Sequence, residues 1–239
     1  MNHWGAFVTA RLCMDLLEKK GLALELVPDL DRVSELVKQS GKTYLTPVLD
    51  PLQNDFVSQN CFWLVAKRDD VPVLLGGARI DDLGAESPEF ILRQFERGYG
   101  KGVVSKVDER VRSQVKGRAA YFGDLFSSAA SGLGRKNVRF FVAVANYLAV
   151  AHYRADCVYS FMRGVDVLRG SADTNGFTQR NLDPLTWARK PVGRGDGEQL
   201  VYRDASENAA YFEAVRRELA CTQSGSALHL SGSLLSTQA

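Results

Sequence analysis

The sequence has few of the residues that build metal sites or disulfide frameworks. It contains four cysteines and three histidines in 239 residues, and the cysteines are far apart and form no Cys-x-x-Cys pair. Zinc ribbons and disulfide scaffolds need closely spaced ligands or paired cysteines, and neither an HExxH motif nor a carboxylate cluster is present. We therefore expect no metal site. The cysteines are Cys13, Cys61, Cys157 and Cys221.

Long apolar runs and a strong net charge are also missing. A membrane-spanning helix needs about 20 consecutive apolar residues, and Arg11 and Asp15 interrupt the apolar stretch nearest the N-terminus. The formal net charge is +2, which gives no global field for nucleic-acid binding. These absences predict a cytoplasmic protein without membrane or nucleic-acid partners. A composition of 45% hydrophobic and 24% charged residues is typical of one soluble globular domain.

Two common phosphate-binding signatures are incomplete. The dinucleotide fingerprint lacks its third glycine and its downstream acidic residue, and the P-loop pattern is absent. The chain does contain the segment SGLGRKN at 131–137, between an apolar strand and an apolar helix. Glycines at a strand-to-helix turn let several backbone N–H groups point at one anion, and the helix dipole favours its negative charge. The segment is either such a cradle or a tight turn.

Alternating and helical periodicities predict an ordered series of elements. An N-terminal helix at about 6–20 ends at Gly21. A strand at 22–28 and a helix that ends at Gly41 follow, and then a hairpin turns at Asp69 and Asp70. The polar region 84–117 predicts one or two surface helices. The later elements are the strand AAYFGDLF, a long helix at about 134–152, the strand DCVYSFMR, a short helix and NGF turn, the strand EQLVYRD, and a helix capped by Ser206.

This order resembles the Gcn5-related N-acetyltransferase (GNAT) superfamily over roughly residues 22–205. The family turn Gln/Arg-x-x-Gly-x-Gly/Ala, which binds the coenzyme A diphosphate through backbone amides, is similar to ASGLG followed by Arg135, and NGF at 175–177 is similar to a second family landmark. The resemblance implies an α/β (α+β) fold, with a mixed, mostly antiparallel twisted sheet flanked by helices. It also implies that the sheet is splayed between the fourth and fifth core strands. The crossover through the helix at 134–152 predicts that the strands around Phe122 and Val158 are parallel.

The resemblance also implies cofactor-binding residues at the turn and acyl-CoA as cosubstrate. Two positions depart from the family pattern: Ala129 replaces the Gln/Arg of the turn, and Ala172 replaces a tyrosine that many members use as general acid. A cation from Arg135 or Lys136 would then have to compensate at the turn. The implied cofactor-binding residues are Phe126, Ser127, Gly132, Leu133, Gly134, Arg135 and Lys136.

Acyl transfer to an amine requires loss of an amine proton, stabilisation of the oxyanion and protonation of the thiolate. Asp124, near the end of a strand, is a candidate to accept the amine proton through water, and Tyr159 is a candidate to protonate the thiolate. The alternatives are a strand-end cap for Asp124 and core packing for Tyr159. We favour structural roles for His152 and Cys157. A histidine at the end of a helix interacts favourably with the helix dipole, and no histidine or acidic residue is spaced to form a catalytic pair with Cys157.

Two groups of charged residues could either bind a partner or simply face solvent. Asp81 and Asp82 either attract an amine substrate or form a solvated turn. The basic group Arg93, Arg97 and Lys101 either docks an acidic carrier protein or forms a solvated face.

The function hypothesis is an N-acyltransferase that moves an acyl group from acyl-CoA to an amine of a small molecule or protein. Two alternatives stay open: an acyl-carrier-protein-dependent synthase of N-acyl amino acids or acyl-homoserine lactones, and a non-catalytic acyl-CoA-binding module. The domain is expected to span residues 1–221 with an N-terminal helical addition, followed by a Ser/Gly-rich tail at 222–239.

Overall fold

The computed structural model describes residues 3–84, 102–191 and 194–232, except for the side chains of 135, 136 and 223–232. The helices are α1 (His3–Lys19), α2 (Val33–Gln39), α3 (Glu109–Gln114), α4 (Arg135–Tyr147), α5 (Gly164–Leu168), α6 (Ser171–Thr174) and α7 (Asn208–Gly232). The strands are β1 (Ala23–Val27), β2 (Cys61–Arg68), β3 (Val71–Asp82), β4 (Val103–Val107), β5 (Arg118–Ser127), β6 (Cys157–Met162), β7 (Gln179–Leu182), β8 (Leu185–Arg189) and β9 (Gln199–Asp204). A π-helical turn, Leu148–His152, continues α4.

Seven strands form one sheet in the order β1-β2-β3-β5-β6-β9-β7, and β4 pairs with β8 in a separate two-stranded sheet. In the main sheet every neighbouring pair is antiparallel except β5 and β6. These two strands are joined by α4, as a parallel connection requires a crossover. The predicted mixed sheet and its single parallel pair are therefore confirmed.

The parallel pair is short and then separates. Ala119, Ala120 and Tyr121 of β5 pair with Cys157, Val158 and Tyr159 of β6. β5 continues to Ser127 and β6 to Met162, but the two strands have no paired residues beyond Tyr121 and Tyr159. The predicted splay thus begins at this pair, and we call the opening the β5–β6 cleft.

The main sheet has a core on each face, as expected when apolar side chains alternate along each strand. One face packs against α1, α4 and α7 and is called the α4 face. The other packs against α2 and the 42–60 segment and is called the α2 face. Phe62, Leu64, Ala120, Phe122, Phe140 and Phe141 belong to the α4 face, and Leu36, Leu49, Trp63, Val65, Tyr121 and Tyr159 to the α2 face.

A fully buried arginine organises the α4 face near the NGF turn. Arg203 donates to the Gly176 carbonyl (2.6 Å), to Asn208 Oδ1 (2.8 Å) and to Asn146 Oδ1 (2.9 Å). Its guanidinium carbon also lies 3.9 Å from the centre of the Tyr211 ring. Because hydrogen bonds from a charged donor are strong in a buried setting, this arginine ties together β9, α4, α7 and the turn.

Several sequence predictions differ from the structure. In the region 84–117, where one or two surface helices were predicted, residues 109–114 form α3, whereas residues 103–107 form β4, whose Val104 is buried with the core of the α2 face. Residues 85–101 lie outside the described residues. The short strands β7 and β8 were not predicted. The cap before α7 is Asp204, not Ser206, since the Asp204 carboxylate accepts from the N–H groups of Ser206 and Glu207 in a capping box. The α7 backbone continues to Gly232, past the expected start of the tail at 222.

Candidate functional site

The turn after β5 has the conformation that its glycines favour. A short 3-10 helix, Ala129–Ser131, ends at Gly132, whose φ of 61° and ψ of 9° are left-handed. Gly134 then caps α4 with φ of −69° and ψ of 161°. A left-handed residue is cheap only for glycine, so Gly132 allows the chain to reverse into the helix, and α4 begins directly at Arg135.

The turn uses some of its own N–H groups internally. The Gly132 N–H donates to the Ala129 carbonyl over 3.2 Å. The Leu133 N–H donates to Ser131 Oγ over 3.2 Å, and that hydroxyl also lies 2.9 Å from Ser127 Oγ. The prediction that the Leu133 N–H faces a ligand is therefore not met in this arrangement, because a side-chain hydroxyl already accepts from it.

The start of α4 supplies the remaining donors. The first residues of a helix have no intrahelical acceptor for their N–H groups, and here those residues are Arg135 and Lys136, preceded by Gly134. A Cβ at Gly134 would have no atom of the described residues within 4 Å. Among the described residues, the space at the Cβ position of Gly134 is therefore open.

The strand before the turn contains a β-bulge. Leu75 pairs with Phe126 and Gly77 with Gly123, so one residue of β3 lies opposite two residues of β5, Asp124 and Leu125. Asp124 has a φ of 53°, which is unusual for a residue with a side chain. A bulge leaves an extra residue outside the ladder and bends the strand, and this one lies where β5 leaves β6.

The side chain of Asp124 is fully buried, and both of its carboxylate oxygens have partners. Its carboxylate forms an ion pair with Lys42 Nζ at 2.9 Å, with exposed side-chain fractions of 0% for Asp124 and 9% for Lys42. It also accepts from the Thr46 N–H at 3.0 Å and the Thr46 hydroxyl at 2.7 Å. An amine could reach this carboxylate only by displacing Lys42. The geometry thus favours an anchor for the 42–60 segment over the predicted proton acceptor.

Tyr159 lies at the point where the cleft begins, on the α2 face. Its ring is edge-on to Tyr121 at 5.5 Å and to Phe161 at 6.2 Å. Burial raises the pKa of its hydroxyl well above the usual value for tyrosine, and the nearby carboxylate of Asp81 adds to the shift. The phenol therefore keeps its proton at neutral pH, and within the described residues we find no hydrogen bond to its oxygen.

The other residues singled out in the sequence are separated from this point or already engaged. Asp81 is held in a two-point pair by the buried Arg79, at 2.8 and 2.9 Å. Cys157 is buried, which raises the pKa of its thiol to about 12, and the His152 ring packs against Tyr153 at 4.8 Å. Phe126 packs on the α2 face. The basic group at 93–101 and the side chains of Arg135 and Lys136 lie outside the described residues.

Three residues of the site had no signal in the sequence. Lys42 and Thr46 lie in an irregular segment, 78 or more residues before Asp124 in the chain, and Arg68 is the last residue of β2. Only the fold brings them to the bulge and the glycine turn. An isolated charge at the end of a strand is ordinarily solvated, so their positions could not be read from the sequence.

The described residues hold no group of three or more metal-ligating side chains. Among the same residues, no helix is both long and apolar enough to cross a membrane.

One parallel pair in an otherwise antiparallel sheet, the cleft beyond it, the bulge and the glycine turn before α4 together match the expected architecture. The chain has a GNAT fold. Among solved structures, an N-acyl amino acid synthase from uncultured soil microbes is 14% identical, with a TM-score of 0.45 over 79% of this chain and 98% of its own. The spermidine/spermine N-acetyltransferase of Vibrio cholerae is 11% identical, with a TM-score of 0.43 over 79% and 98%.

An acetyltransferase from Streptococcus agalactiae is 8% identical, with a TM-score of 0.41 over 77% of this chain and 98% of its own. No protein-family model matches the sequence, and no curated protein matches it. At these identities and TM-scores the likeness indicates neither a substrate nor a mechanism.

Proposed function

We propose that this protein is an acyl-CoA-dependent N-acyltransferase, which transfers an acyl group from a thioester to an amine of a small molecule or a protein. The observation that carries the proposal is the position of the glycine turn. It lies at the end of β5, next to the cleft between β5 and β6, and it opens into the N-terminus of a 13-residue helix. An anion-binding end and an open strand edge are thus adjacent, which suits a donor that has a diphosphate at one end and a thioester at the other.

The diphosphate would bind at the start of α4. The N–H groups of Gly134, Arg135 and Lys136 point out of the first helical turn, and the helix dipole is positive there. Gly132 makes the reversal that brings these donors together, and the open space at Gly134 admits the phosphate oxygens. These are the chain's own groups for holding the donor.

The pantetheine arm would enter the β5–β6 cleft. Backbone polar groups that a ladder does not pair need other partners, and both strands run on beyond Tyr121 and Tyr159 without pairing to each other. The arm carries two amides, which can hydrogen-bond to a strand edge. The thioester would then lie near the bulge at Asp124, where β5 bends away from β6.

The chemical step is attack of the amine nitrogen on the thioester carbon. The C–N bond forms, the C–S bond breaks, the amine proton passes to water, and the sulfur leaves as a thiolate that takes up a proton. We assign to Tyr159 the donation of a hydrogen bond or proton to the departing sulfur, because its raised pKa keeps the phenol protonated. We assign to Asp124 a positioning role, since it fixes the bulge and the 42–60 segment through Lys42 and Thr46.

The test has two measurements on the full chain. Calorimetric titration with coenzyme A should give a dissociation constant, and an acyl-CoA panel offered with polyamines, amino acids and peptide N-termini should release free thiol. Tyr159→Phe should lower kcat while leaving coenzyme A affinity unchanged, because the ring packing is kept. Thiol release from acylated carrier protein, but not from acyl-CoA, would favour the carrier-dependent synthase. Binding without turnover of any donor would favour the non-catalytic module.

A further inference from the structure

Arg68 lies beside the glycine turn and is bonded to it. Its Nη2 donates to the Ser131 carbonyl at 2.9 Å and to the Lys20 carbonyl at 3.0 Å. The first carbonyl belongs to the turn and the second to the end of α1. One guanidinium therefore fixes the turn against the sheet and against the N-terminal helix.

The charge of Arg68 is not neutralised by the residues that hold it. Both acceptors are neutral carbonyls, and no ion pair of the described residues includes Arg68. Its Nε is buried without a hydrogen-bond partner, and Nη1 lies 3.6 Å from the position that a Cβ at Gly132 would take. Nη2 of this planar guanidinium is held by the two carbonyls, whereas Nη1 has no hydrogen bond to the described residues. Such a group suits an anion, because the turn beside it is rich in N–H donors.

The cation at the turn comes from a distant part of the chain. Where the resembled family has Gln or Arg, this chain has Ala129, so the turn itself offers no polar side chain at that position. Arg68 reaches the same turn from β2, which is more than 60 residues earlier in the chain. Arg68 therefore brings a cation to the turn from a neighbouring strand.

We propose that Arg68 is the cationic residue of the donor site, holding the turn with Nη2 and contacting the donor diphosphate with Nη1. This inference rests on the proposed function and adds a residue to it. It predicts a specific dependence, because Arg68 should matter for ligands that carry the diphosphate and not for ligands that lack it.

The experiment compares Arg68→Gln and Arg68→Lys with Arg216→Gln, a control on α7 whose arginine pairs with Glu213 at the surface. Affinity for coenzyme A is measured by calorimetry at two salt concentrations, and affinity for pantetheine by ligand-observed NMR. We expect Arg68→Gln to weaken coenzyme A binding by tenfold or more, to reduce its salt dependence and to leave pantetheine binding unchanged. Arg68→Lys should fall between Arg68→Gln and the wild type, and Arg216→Gln should behave as the wild type.

Two results would overturn the inference while leaving the proposed function intact. One is wild-type coenzyme A affinity in a folded Arg68→Gln. The other is a weaker coenzyme A affinity whose salt dependence equals that of the wild type, which is expected if Arg68 only holds the turn and makes no charge contact with the diphosphate. If Arg68→Gln does not fold, the same comparison is read from Arg68→Lys, which keeps the charge. A wild-type protein that binds no coenzyme A would instead overturn the proposed function together with this inference.

Discussion

Replacing Gly134 with valine separates the binding role of the turn from its structural role. Gly134 has φ of −69° and ψ of 161°, which any residue adopts, and a Cβ there would meet no atom of the described part of the chain within 4 Å. Gly132 differs, because its φ is 61° and its Cβ would lie 3.4 Å from the Arg68 guanidinium. We expect Gly134→Val to leave the fold intact and to obstruct the donor, whereas Gly132→Ala should strain the fold.

The magnitudes follow from the backbone. Loss of glycine at a helix N-cap lowers the free energy of unfolding by about 1 kcal/mol. The reduced entropy of the unfolded chain raises it by about 0.4 to 1 kcal/mol, so the net change in stability for Gly134→Val is about zero. A left-handed alanine at Gly132 costs about 1 to 2 kcal/mol. For a chain of this size each kcal/mol is about 2 to 4 °C in melting temperature. Coenzyme A affinity in Gly134→Val should fall at least tenfold, about 1.4 kcal/mol.

The assay pairs thermal denaturation with calorimetric titration of coenzyme A for both variants. Gly195→Val is the control, because a Cβ at Gly195 would also have no neighbour within 4 Å among the residues that the structure describes, and this loop is distant from the turn in the chain. The control should keep both melting temperature and affinity. If Gly134→Val is as stable as the wild type and binds coenzyme A equally well, no phosphate lies at the start of α4, and our account of the donor site is refuted.

Three further outcomes are expected. Asp124→Asn should lower the free energy of unfolding by about 3 to 5 kcal/mol in urea denaturation, because it leaves the buried Lys42 charge uncompensated; a change below about 1 kcal/mol would show that the ion pair does not anchor the bulge. Arg203→Met should cost at least about 3 kcal/mol, since three buried acceptors lose a charged donor, and a stable variant would contradict this. Of the four thiols, only Cys221 should react with an aromatic disulfide reagent in the native protein, because the other three are buried; rapid reaction of a second thiol would show that a core opens readily.

Most of the fold could be predicted from local sequence patterns. The hairpin turn at Asp69 and Asp70 uses positive φ at both residues, 50° and 62°, as tight hairpins require and aspartate tolerates. β7 and β8 could not be predicted, because each is only four or five residues long and mostly exposed. Such strands form through pairing with distant segments rather than from their own periodicity.

Only the part of the site that is formed by backbone groups could be predicted from the sequence. Gly132 and Gly134 predict a turn by their residue type, so the position of the proposed cradle could be read from the sequence. The predicted role of Asp124 could not include its partner, because a buried ion pair between Lys42 and Asp124 is a long-range contact without a local pattern. The proposed role of Arg68 could not be predicted for the same reason, since it depends on a long-range hydrogen bond to the Ser131 carbonyl.

The brevity of the parallel pairing between β5 and β6 also bears on how stability is distributed over the main sheet. Three residue pairs connect β1, β2, β3 and β5 on one side to β6, β9 and β7 on the other, whereas β3 and β5 share eight. Cooperative units in proteins follow dense pairing, and they separate where pairing is sparse. The sheet therefore consists of two densely paired units joined by these three residue pairs. In native-state hydrogen exchange, those amides of residues 119–121 and 157–159 that donate between β5 and β6 should be less protected than the amides in the middle of β3.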